Sequence, residues 1–502
     1  MVNVRYVCLS DLHFGEDRSL FSNMESGGQV DHSKPSRFMI EFVDCLKTIL
    51  PRKKRGEKRT LILNGDVLEL AFCEMNLGGA IFRQFMSLLM YGKNPIFTDF
   101  IFIPGNHDHH LWELARENQY LEYLKRKHRK ERVNYLAPQR KQQDLPSPWH
   151  TTELFLELEK HPIKASFLSE ITEPFRNGRP ITVAYPNLAL LNRDKSKCVV
   201  FHHGHFTESV YWSISSLKKN LFDFPLPKDV WDLEEENYAL IDFLWSALGR
   251  SGEAGHGLET IYTKLLKPET LHAVTSKIGN MIAESTSSPL MDGFNYLNGI
   301  ETILNNIIEG YWSSERSSLD CVISESGMEC LSRYLETPLR RHIANRMQKH
   351  DPKYWDLPEE EWPDPPTVID METTFVFGHT HKSWYYLLET NHFKKPVRIY
   401  NTGGWVVDSL KTALTHGGSI ALVGDDLETA LLWVYNESYD HKDYPEQVKC
   451  IGSLDQPENS LSKQTNELIR QNQSSWQKLS KEIARCVSIR RNHLLEQVNE
   501  PL

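Results

Sequence analysis

Five apolar runs of this sequence are each followed directly by side chains that can bind metal ions. The runs are rich in Val, Ile, Leu and Phe and are bounded by Gly, Asn, Asp or Pro, a pattern typical of buried strands. The five polar segments that follow them are SDLHFG (10–15), NGD (64–66), GNHD (105–108), HHGH (202–205) and GHTH (378–381). One such segment alone would be weak evidence, whereas five in order are hard to explain by chance.

Helical patterns separate the first three of these predicted strands, at 36–50 and 80–92. Three further apolar runs follow the last polar segment, at 397–404, 419–425 and 429–435. Alternating strands and helices predict an α/β layered core. Because open α/β sheets collect their sites beyond the carboxyl ends of the strands, the five polar segments are expected to meet in space.

A long helical segment interrupts this core. Between the fourth and fifth polar segments the sequence loses its strand signal and becomes aromatic-rich, which predicts a helical insertion, or cap. A smaller insertion at 111–180 carries the basic run 125–132, which is either a solvated helix face or a grip for phosphate groups. The expected division is a first core segment 1–205, a cap 206–365, a second core segment 366–440 and a polar tail 441–502. The tail is expected to form a peripheral helix or to be partly disordered.

Composition argues against several classes of protein. A formal net charge of −10 over 502 residues disfavours a surface coated with nucleic-acid-binding charge, although a local basic channel is compatible with it. The eight cysteines are scattered without a CxxC pair, so neither a zinc ribbon nor a disulfide framework is predicted. No stretch approaches the roughly 18 apolar residues of a membrane span. A cytoplasmic location is expected, and peripheral membrane association stays open.

The order D-x-H, G-D, G-N-H-D, H-G-H and G-H-T-H resembles the calcineurin-like metallophosphoesterase superfamily. The resemblance covers roughly 1–110, 195–206 and 370–436, and it implies a four-layer α/β/β/α sandwich with a dinuclear metal site. SDLHFG, GDVLEL and YNTGGWV (400–406) also resemble, more weakly, the branch of UDP-diacylglucosamine hydrolases. Gly404 stands where that branch has an acidic residue, and His107 stands where the lipid hydrolase commonly has Arg.

The resemblance assigns a role to each polar residue of the five segments. It implies one metal on Asp11, His13 and His381, a second on Asn106, His203 and His379, a bridge by Asp66, a catalytic His107, and an Asp108 that orients His107. Oxygen and imidazole donors without thiolates suit Mn²⁺ best here, with Fe or Zn²⁺ as alternatives. Two such ions activate a bridging hydroxide for in-line attack on phosphorus. His107 as imidazolium would stabilise the transition state or protonate the leaving group.

The remaining histidines of these segments have weaker assignments. In HHGH the family places its ligand directly before Gly, which selects His203, and His202 would then point to the opposite face of the strand as a structural residue. His205 is either a substrate contact or an ordinary turn residue. His109 is a candidate for contacting a substrate phosphate, although a capping or surface role for it and His110 is favoured.

Glu69, in GDVLEL, is expected to be a surface or helix residue rather than a ligand. In the cap, Tyr211 and Trp212 follow the fourth polar segment and are expected to face the site, where aromatic rings could stack on a nucleobase.

The predicted function is metal-dependent hydrolysis of a phosphodiester, phosphomonoester or pyrophosphate. The substrate would be a phosphorylated small molecule, a nucleotide or a nucleotide-linked compound. A nuclease acting on DNA or RNA is an alternative, and so is a catalytically silent metal-binding scaffold. The cap or the tail could also recruit a protein partner while the site stays active. The sequence predicts no oligomeric state.

Overall fold

The computed structural model describes most of two segments, 3–205 and 370–499, and a few residues between them. The gaps within these segments are 25–29, 51–56, 93–94, 131–152, 155–162, 177, 193–195, 390–392, 408–409, 411–415 and 438–447. The described residues between them are 219, 225–226, 236–238, 241–242 and 246. Almost all of the predicted cap, including Tyr211 and Trp212, therefore lies outside the described residues.

Strands and helices alternate through the first segment, strands dominate the start of the second, and two helices end the chain. The strands are β1 (Val4–Leu9), β2 (Thr60–Asn64), β3 (Asp99–Ile103), β4 (Glu153–Leu154), β5 (Ile163–Lys164), β6 (Thr182–Val183), β7 (Asn187–Leu191), β8 (Lys197–His202), β9 (Glu372–Phe377), β10 (Ser383–Leu388), β11 (Val397–Thr402), β12 (Gly417–Gly424), β13 (Thr429–Asn436) and β14 (Lys449–Ile451). The helices are α1 (Arg37–Ile49), α2 (Met75–Met90), α3 (His110–Lys130), α4 (Ser166–Thr172), α5 (Ser460–Gln471) and α6 (Gln473–Asn499), with a 3₁₀ turn at Glu173–Phe175.

The described strands form two sheets. The first has the order β14-β13-β12-β1-β2-β3-β6-β5, and its central neighbours β1, β2, β3 and β6 run parallel. The second has the order β10-β11-β9-β8-β7-β4, with β8, β9 and β11 parallel. Parallel neighbours end at the same edge of a sheet, so the segments that follow β1, β2 and β3 emerge side by side, as do those that follow β8 and β9.

The two sheets pack face to face, and helices cover the outer face of the first sheet. Along β1, Val7 and Leu9 pack with α1 and α2 in one core, whereas Tyr6 and Cys8 point the other way. The second core joins Cys8 to residues of the six-stranded sheet such as Phe201. This alternation follows from the period of two in a strand. The predicted α/β layered fold is confirmed; the fourth layer expected outside the second sheet lies beyond the described residues.

The polar tail contributes the edge strand β14 to the first sheet and forms two helices, α5 and α6, that pack against α1. Buried residues recur along α6 at helical spacing, namely Trp476, Leu479, Ile483, Cys486, Val487, Arg490, Leu494 and Val498. The indole N–H of Trp476 donates to the Thr48 hydroxyl of α1 at 3.1 Å. Of the two structures expected for the tail, the described residues have the helical one. No helix in the described part of the chain combines the length and the apolar character needed to cross a bilayer.

Candidate metal centre

The backbone is left-handed at five of the predicted metal ligands. Asp11, His13, Asp66, His379 and His381 have φ between 44° and 68°, and among the described non-glycine residues only Leu427 shares a positive φ. Such conformations are costly for residues with a side chain, and they persist where surrounding structure holds them, commonly at functional sites. Here the loops after neighbouring strands hold each other, because Asp11 N–H donates to Gly65 O at 3.0 Å.

The first group of candidate ligands combines the loop after β1 with the loop after β9. Donor atoms of Asp11, His13 and His381 lie within 4.8 Å of one another. The Nε2 atoms of His13 and His381 are 3.1 Å apart, and His381 Nε2 is 3.6 Å from Asp11 Oδ1. Asp11 and His13 are buried, and 18% of the His381 side chain is exposed. Protein therefore surrounds Asp11 and His13, whereas solvent reaches the group at His381.

The second group brings together the loops after β2, β3, β8 and β9. Donor atoms of Asp66, His203 and His379 also lie within 4.8 Å of one another, and all three residues are buried. The Nε2 atom of His203 is 3.1 Å from Asn106 Oδ1 and 3.1 Å from Asp66 Oδ2. The structure thus brings the predicted ligand Asn106 to the same group.

Asp66 lies between the two groups. Its Oδ2 atom is 3.8 Å from His13 Nε2 as well as 3.1 Å from His203 Nε2, and its Oδ1 accepts the backbone N–H of His107 at 2.9 Å. Burial opposes ionisation of this carboxyl, but the histidines around it, His203 first and then His107, outweigh that effect and lower its pKa well below 3.8. An ionised carboxylate therefore faces both groups.

Three observations indicate that these residues are suited to bind cations. Asp11 Oδ2 is buried and has no hydrogen bond within the described part of the chain. His13 Nδ1 lies 2.7 Å from Glu69 Oε2, and His203 Nδ1–H donates to the Asn64 carbonyl at 3.0 Å. A histidine that gives its Nδ1 proton to such a partner turns the Nε2 lone pair towards a metal. The two Nε2 atoms accordingly point into the two ligand groups.

Glu69 is buried at the centre of the site, so the prediction that it is a surface or helix residue is wrong. Besides His13, its carboxylate contacts His107 Nδ1, with Oε1 at 3.0 Å and Oε2 at 2.8 Å. Its Oε1 also accepts the backbone N–H groups of Ala71 and Phe72 at 2.7 and 3.0 Å. Four partners therefore fix this carboxylate. Its place three residues after Asp66, in GDVLEL, was the signal available in the sequence.

Asp108 connects two loops of the site. Its Oδ2 accepts the N–H of Val67 at 2.7 Å and its Oδ1 accepts the N–H of Gly105 at 2.7 Å, so it ties the loop after β2 to the loop after β3. Burial raises the pKa of Asp108 to about 7. Glu69 is a carboxylate in direct contact with the His107 ring, and a role of Asp108 in orienting that ring stays a prediction.

His107 carries a positive charge over a wide pH range in this setting. Burial disfavours its imidazolium form, but the carboxylates of Glu69 and then Asp66 outweigh burial and raise its pKa to about 10. Its ring lies edge-on to that of His13, with centroids 4.9 Å apart. A protonated imidazole beside the ligand groups suits stabilisation of an anion or proton transfer to a leaving group.

The other histidines of the polar segments are buried. His205 is 1% exposed, and burial and then the neighbouring His203 lower its pKa well below 6.5. His109 is fully buried, with Nε2 3.0 Å from the Tyr185 hydroxyl, so a surface role for it is wrong. The capping role fits, because His109 directly precedes α3 and its carbonyl accepts the N–H of Trp112 at 2.8 Å. Their substrate contacts stay predictions. His202, expected to be structural, is buried too, and burial lowers its pKa to about 3.

The basic run 125–132 begins in the last turns of α3. Within it, Lys125 is exposed and pairs with Glu122 at 2.7 Å. This contact fits a solvated helix face, the first of the two alternatives for the run.

Comparison with known families agrees with the geometry. Residues 4–241 match the family model described as calcineurin-like phosphoesterase. Residues 4–241 are therefore similar to this family. The match includes four of the five polar segments, while GHTH lies beyond it and reaches the site on β9. This similarity supports metal-dependent hydrolysis of phosphorylated substrates. No curated protein matches the chain significantly, and the resemblance to UDP-diacylglucosamine hydrolases stays a prediction.

Proposed function

We propose that this protein is a dinuclear calcineurin-like phosphoesterase, with one divalent ion in each ligand group and Asp66 between them. The observation that carries the proposal is the position of Asp66 Oδ2, which lies within 3.8 Å of His13 Nε2 and within 3.1 Å of His203 Nε2. A carboxylate shared by two imidazole-containing groups is the arrangement that a two-metal hydrolase requires.

Asp11, His13 and His381 would hold one ion, and Asn106, His203 and His379 the other. The donors are imidazole, carboxylate and amide groups without thiolates, a set that suits Mn²⁺, and also Fe or Zn²⁺. Two such ions would polarise phosphoryl oxygens and lower the pKa of water for in-line attack. A neutral amide in place of a second carboxylate keeps the second group less negative, which favours an anionic substrate.

His107 is the candidate for acid catalysis. Glu69 and Asp66 keep its ring protonated, and Glu69 also holds the ring in place from its Nδ1 side. The remaining Nε2–H would donate to a phosphoryl oxygen, or pass its proton to the leaving alkoxide. Such a group typically contributes 10²–10⁴-fold to a rate.

Hydrolysis of bis(p-nitrophenyl) phosphate and p-nitrophenyl phosphate with Mn²⁺ tests the proposal. We expect turnover that chelator abolishes, that Asp66→Asn reduces to background through loss of bound metal, and that His107→Ala reduces by about 10²-fold with metal retained. Asp44→Asn, which removes an exposed carboxylate of α1, is the matched control and should leave turnover unchanged.

The ratio of the two substrates would separate a phosphodiesterase from a phosphatase. Two bound ions without turnover of either substrate would favour the scaffold alternative. A chain that binds no Mn²⁺, Fe or Zn²⁺ at any of these residues would rule out the dinuclear proposal.

A further inference from the structure

A separate group of possible ligands lies at the start of α3. His110 is the first residue of this helix, and Glu113 follows at the (i, i+3) position on the same face. Asp242, one of the few described residues between β8 and β9, approaches both from outside α3. One donor atom of each residue lies within 4.8 Å of the others, and none of the three belongs to the two groups described above.

The distances in this group are those of ligands around one ion. His110 Nδ1 is 3.5 Å from Glu113 Oε2 and 3.5 Å from Asp242 Oδ1. These separations are longer than ordinary hydrogen bonds. Nitrogen and oxygen ligands about 2.0–2.2 Å from a tetrahedral Zn²⁺ ion are separated from one another by roughly 3.3–3.6 Å.

Two of the donor atoms are buried and have no hydrogen bond in the described structure. They are His110 Nδ1 and Asp242 Oδ1. The whole side chains of both residues are only 17% exposed. Asp242 Oδ1 also lies 3.6 Å from His109 Nδ1, again longer than an ordinary hydrogen bond. Buried polar atoms nearly always have a partner, so two of them 3.5 Å apart leave room for a bound group between them.

The charges of the group are mixed: burial opposes ionisation of Asp242, but its contacts with His109 and His110 outweigh burial and lower its pKa. Burial raises the pKa of Glu113, and the nearby carboxylate of Asp242 raises it further. Two carboxylates held together repel each other, and a divalent ion between them would remove that repulsion. One imidazole with two carboxylates is a donor set that Zn²⁺ accepts in proteins.

We propose that His110, Glu113 and Asp242 form a third divalent-cation site, distinct from the dinuclear centre and structural in role. The ion would fasten Asp242 to the first turn of α3. Ser246, four residues further on, already contacts the catalytic loop, because its hydroxyl donates to the Asn106 carbonyl at 2.9 Å. Occupation of the site would therefore hold Asp242 and Ser246 near the loop that carries Asn106 and His107.

Equilibrium dialysis of the full chain against Zn²⁺, followed by metal analysis, tests this site. We expect three ions per chain for the wild type and for Glu117→Gln, which removes an exposed carboxylate of the same helix and serves as the matched control. Asp242→Asn and His110→Gln should each bind one ion fewer.

The same measurement on Asp66→Asn separates this site from the dinuclear proposal. In that background, adding Asp242→Asn should still remove one ion, whatever the dinuclear centre retains. Circular dichroism would establish that each variant is folded. Equal stoichiometry of Asp242→Asn and Glu117→Gln at every free Zn²⁺ concentration would overturn the proposal, leaving an ion-pair network at the start of α3.

Discussion

The carboxylate of Glu69 contacts two residues with different candidate functions, metal binding and acid catalysis. It contacts Nδ1 of the ligand candidate His13 and Nδ1 of the acid candidate His107, and two backbone N–H groups hold it in place. Partners of this kind orient ligating histidines and raise their basicity. A change at Glu69 should therefore affect metal binding and the charge of His107 together, which no single ligand substitution would do.

We expect Glu69→Gln to lower the pKa of His107 from about 10 towards 6.5, because the loss of the nearest carboxylate removes the main stabilisation of the imidazolium. Metal affinity should fall by roughly 10- to 100-fold, since His13 loses its orienting partner. NMR titration of the metal-free protein would measure the pKa, and Mn²⁺ titration the affinity. Glu74→Gln, at an exposed residue, is the control. An unchanged pKa of His107 would contradict the assignment of Glu69.

Among single residues, side chains could be picked out by their chemistry, whereas roles that depend on contacts could not. That Asp66 and His203 lie together could be predicted, because few residue types bind metals and the spacing to glycine selects among them. Glu69 and Asp108 could not be assigned, since both are carboxylates within a few residues of a ligand. Only the folded loops determine that one contacts imidazole rings and the other backbone N–H groups.

Among the secondary-structure elements, the loops at the ends of the strands carry the site residues. Some of these loops pass so close to a ligand side chain that a Cβ atom would not fit. A side chain at Gly404, in the turn after β11, would place its Cβ 2.6 Å from the His381 ring. This distance explains why glycine occupies the position: the His381 ring fills the space that a side chain would take. A Cβ at Gly378 would likewise approach Asp11 Oδ2 to 2.2 Å.

Gly404→Ala should therefore displace His381 and weaken metal binding by on the order of 10-fold, with a matching loss of turnover. Metal titration and the chromogenic assay would measure both effects. Gly92→Ala is the control for a glycine-to-alanine change without a steric clash, because nothing lies within 4 Å of a Cβ at Gly92. Gly92 also has a positive φ and Gly404 does not, so backbone strain would weigh on the control alone. If Gly404→Ala bound metal as tightly as the wild type does, the expected clash between the alanine Cβ and the His381 ring would be wrong.

The buried central strands were the elements that sequence could predict. Continuous apolar runs such as those of β2 and β12 are fully buried, and burial on both faces is what produces such runs. β10 was not predicted because it is half-exposed and mixed in character. β7 was not predicted either, although its five residues are mostly buried. β4, β5 and β6 have two residues each, too few for any period to show.

At the scale of the whole molecule, distant parts of the chain depend on each other. β1 pairs with β12, so the loop that carries Asp11 and His13 is framed by strands from both ends of the chain. Helix α6 also packs near this loop, although its polar sequence predicted only a helix and not where the helix would pack. The fully buried side chain of Arg490 connects α6 to the segment that follows His13.

Arg490→Met should destabilise the fold without touching the metal ligands. The Arg490 guanidinium donates to the carbonyls of Ser19 and Ser22, at 2.8 and 2.6 Å, and both lose this partner in the variant. Leaving buried carbonyls unsatisfied costs about 1–3 kcal/mol each, so we expect the free energy of unfolding to fall by about 3 kcal/mol in urea titration. Lys481→Met removes an exposed cation from the same helix and should change stability by less than about 0.5 kcal/mol.

The position of these contacts also predicts an effect on the site. Because Ser19 and Ser22 belong to the segment that begins at Asp11, releasing α6 should increase amide hydrogen exchange in the segment after His13 as well as in α6 itself. Metal binding by the first ligand group should weaken in parallel, while the pKa of His107 should stay near 10, since Glu69 and Asp66 are unaffected. Faster exchange confined to α6 would show that the helix covers the core without supporting the loop that carries the first metal ligands.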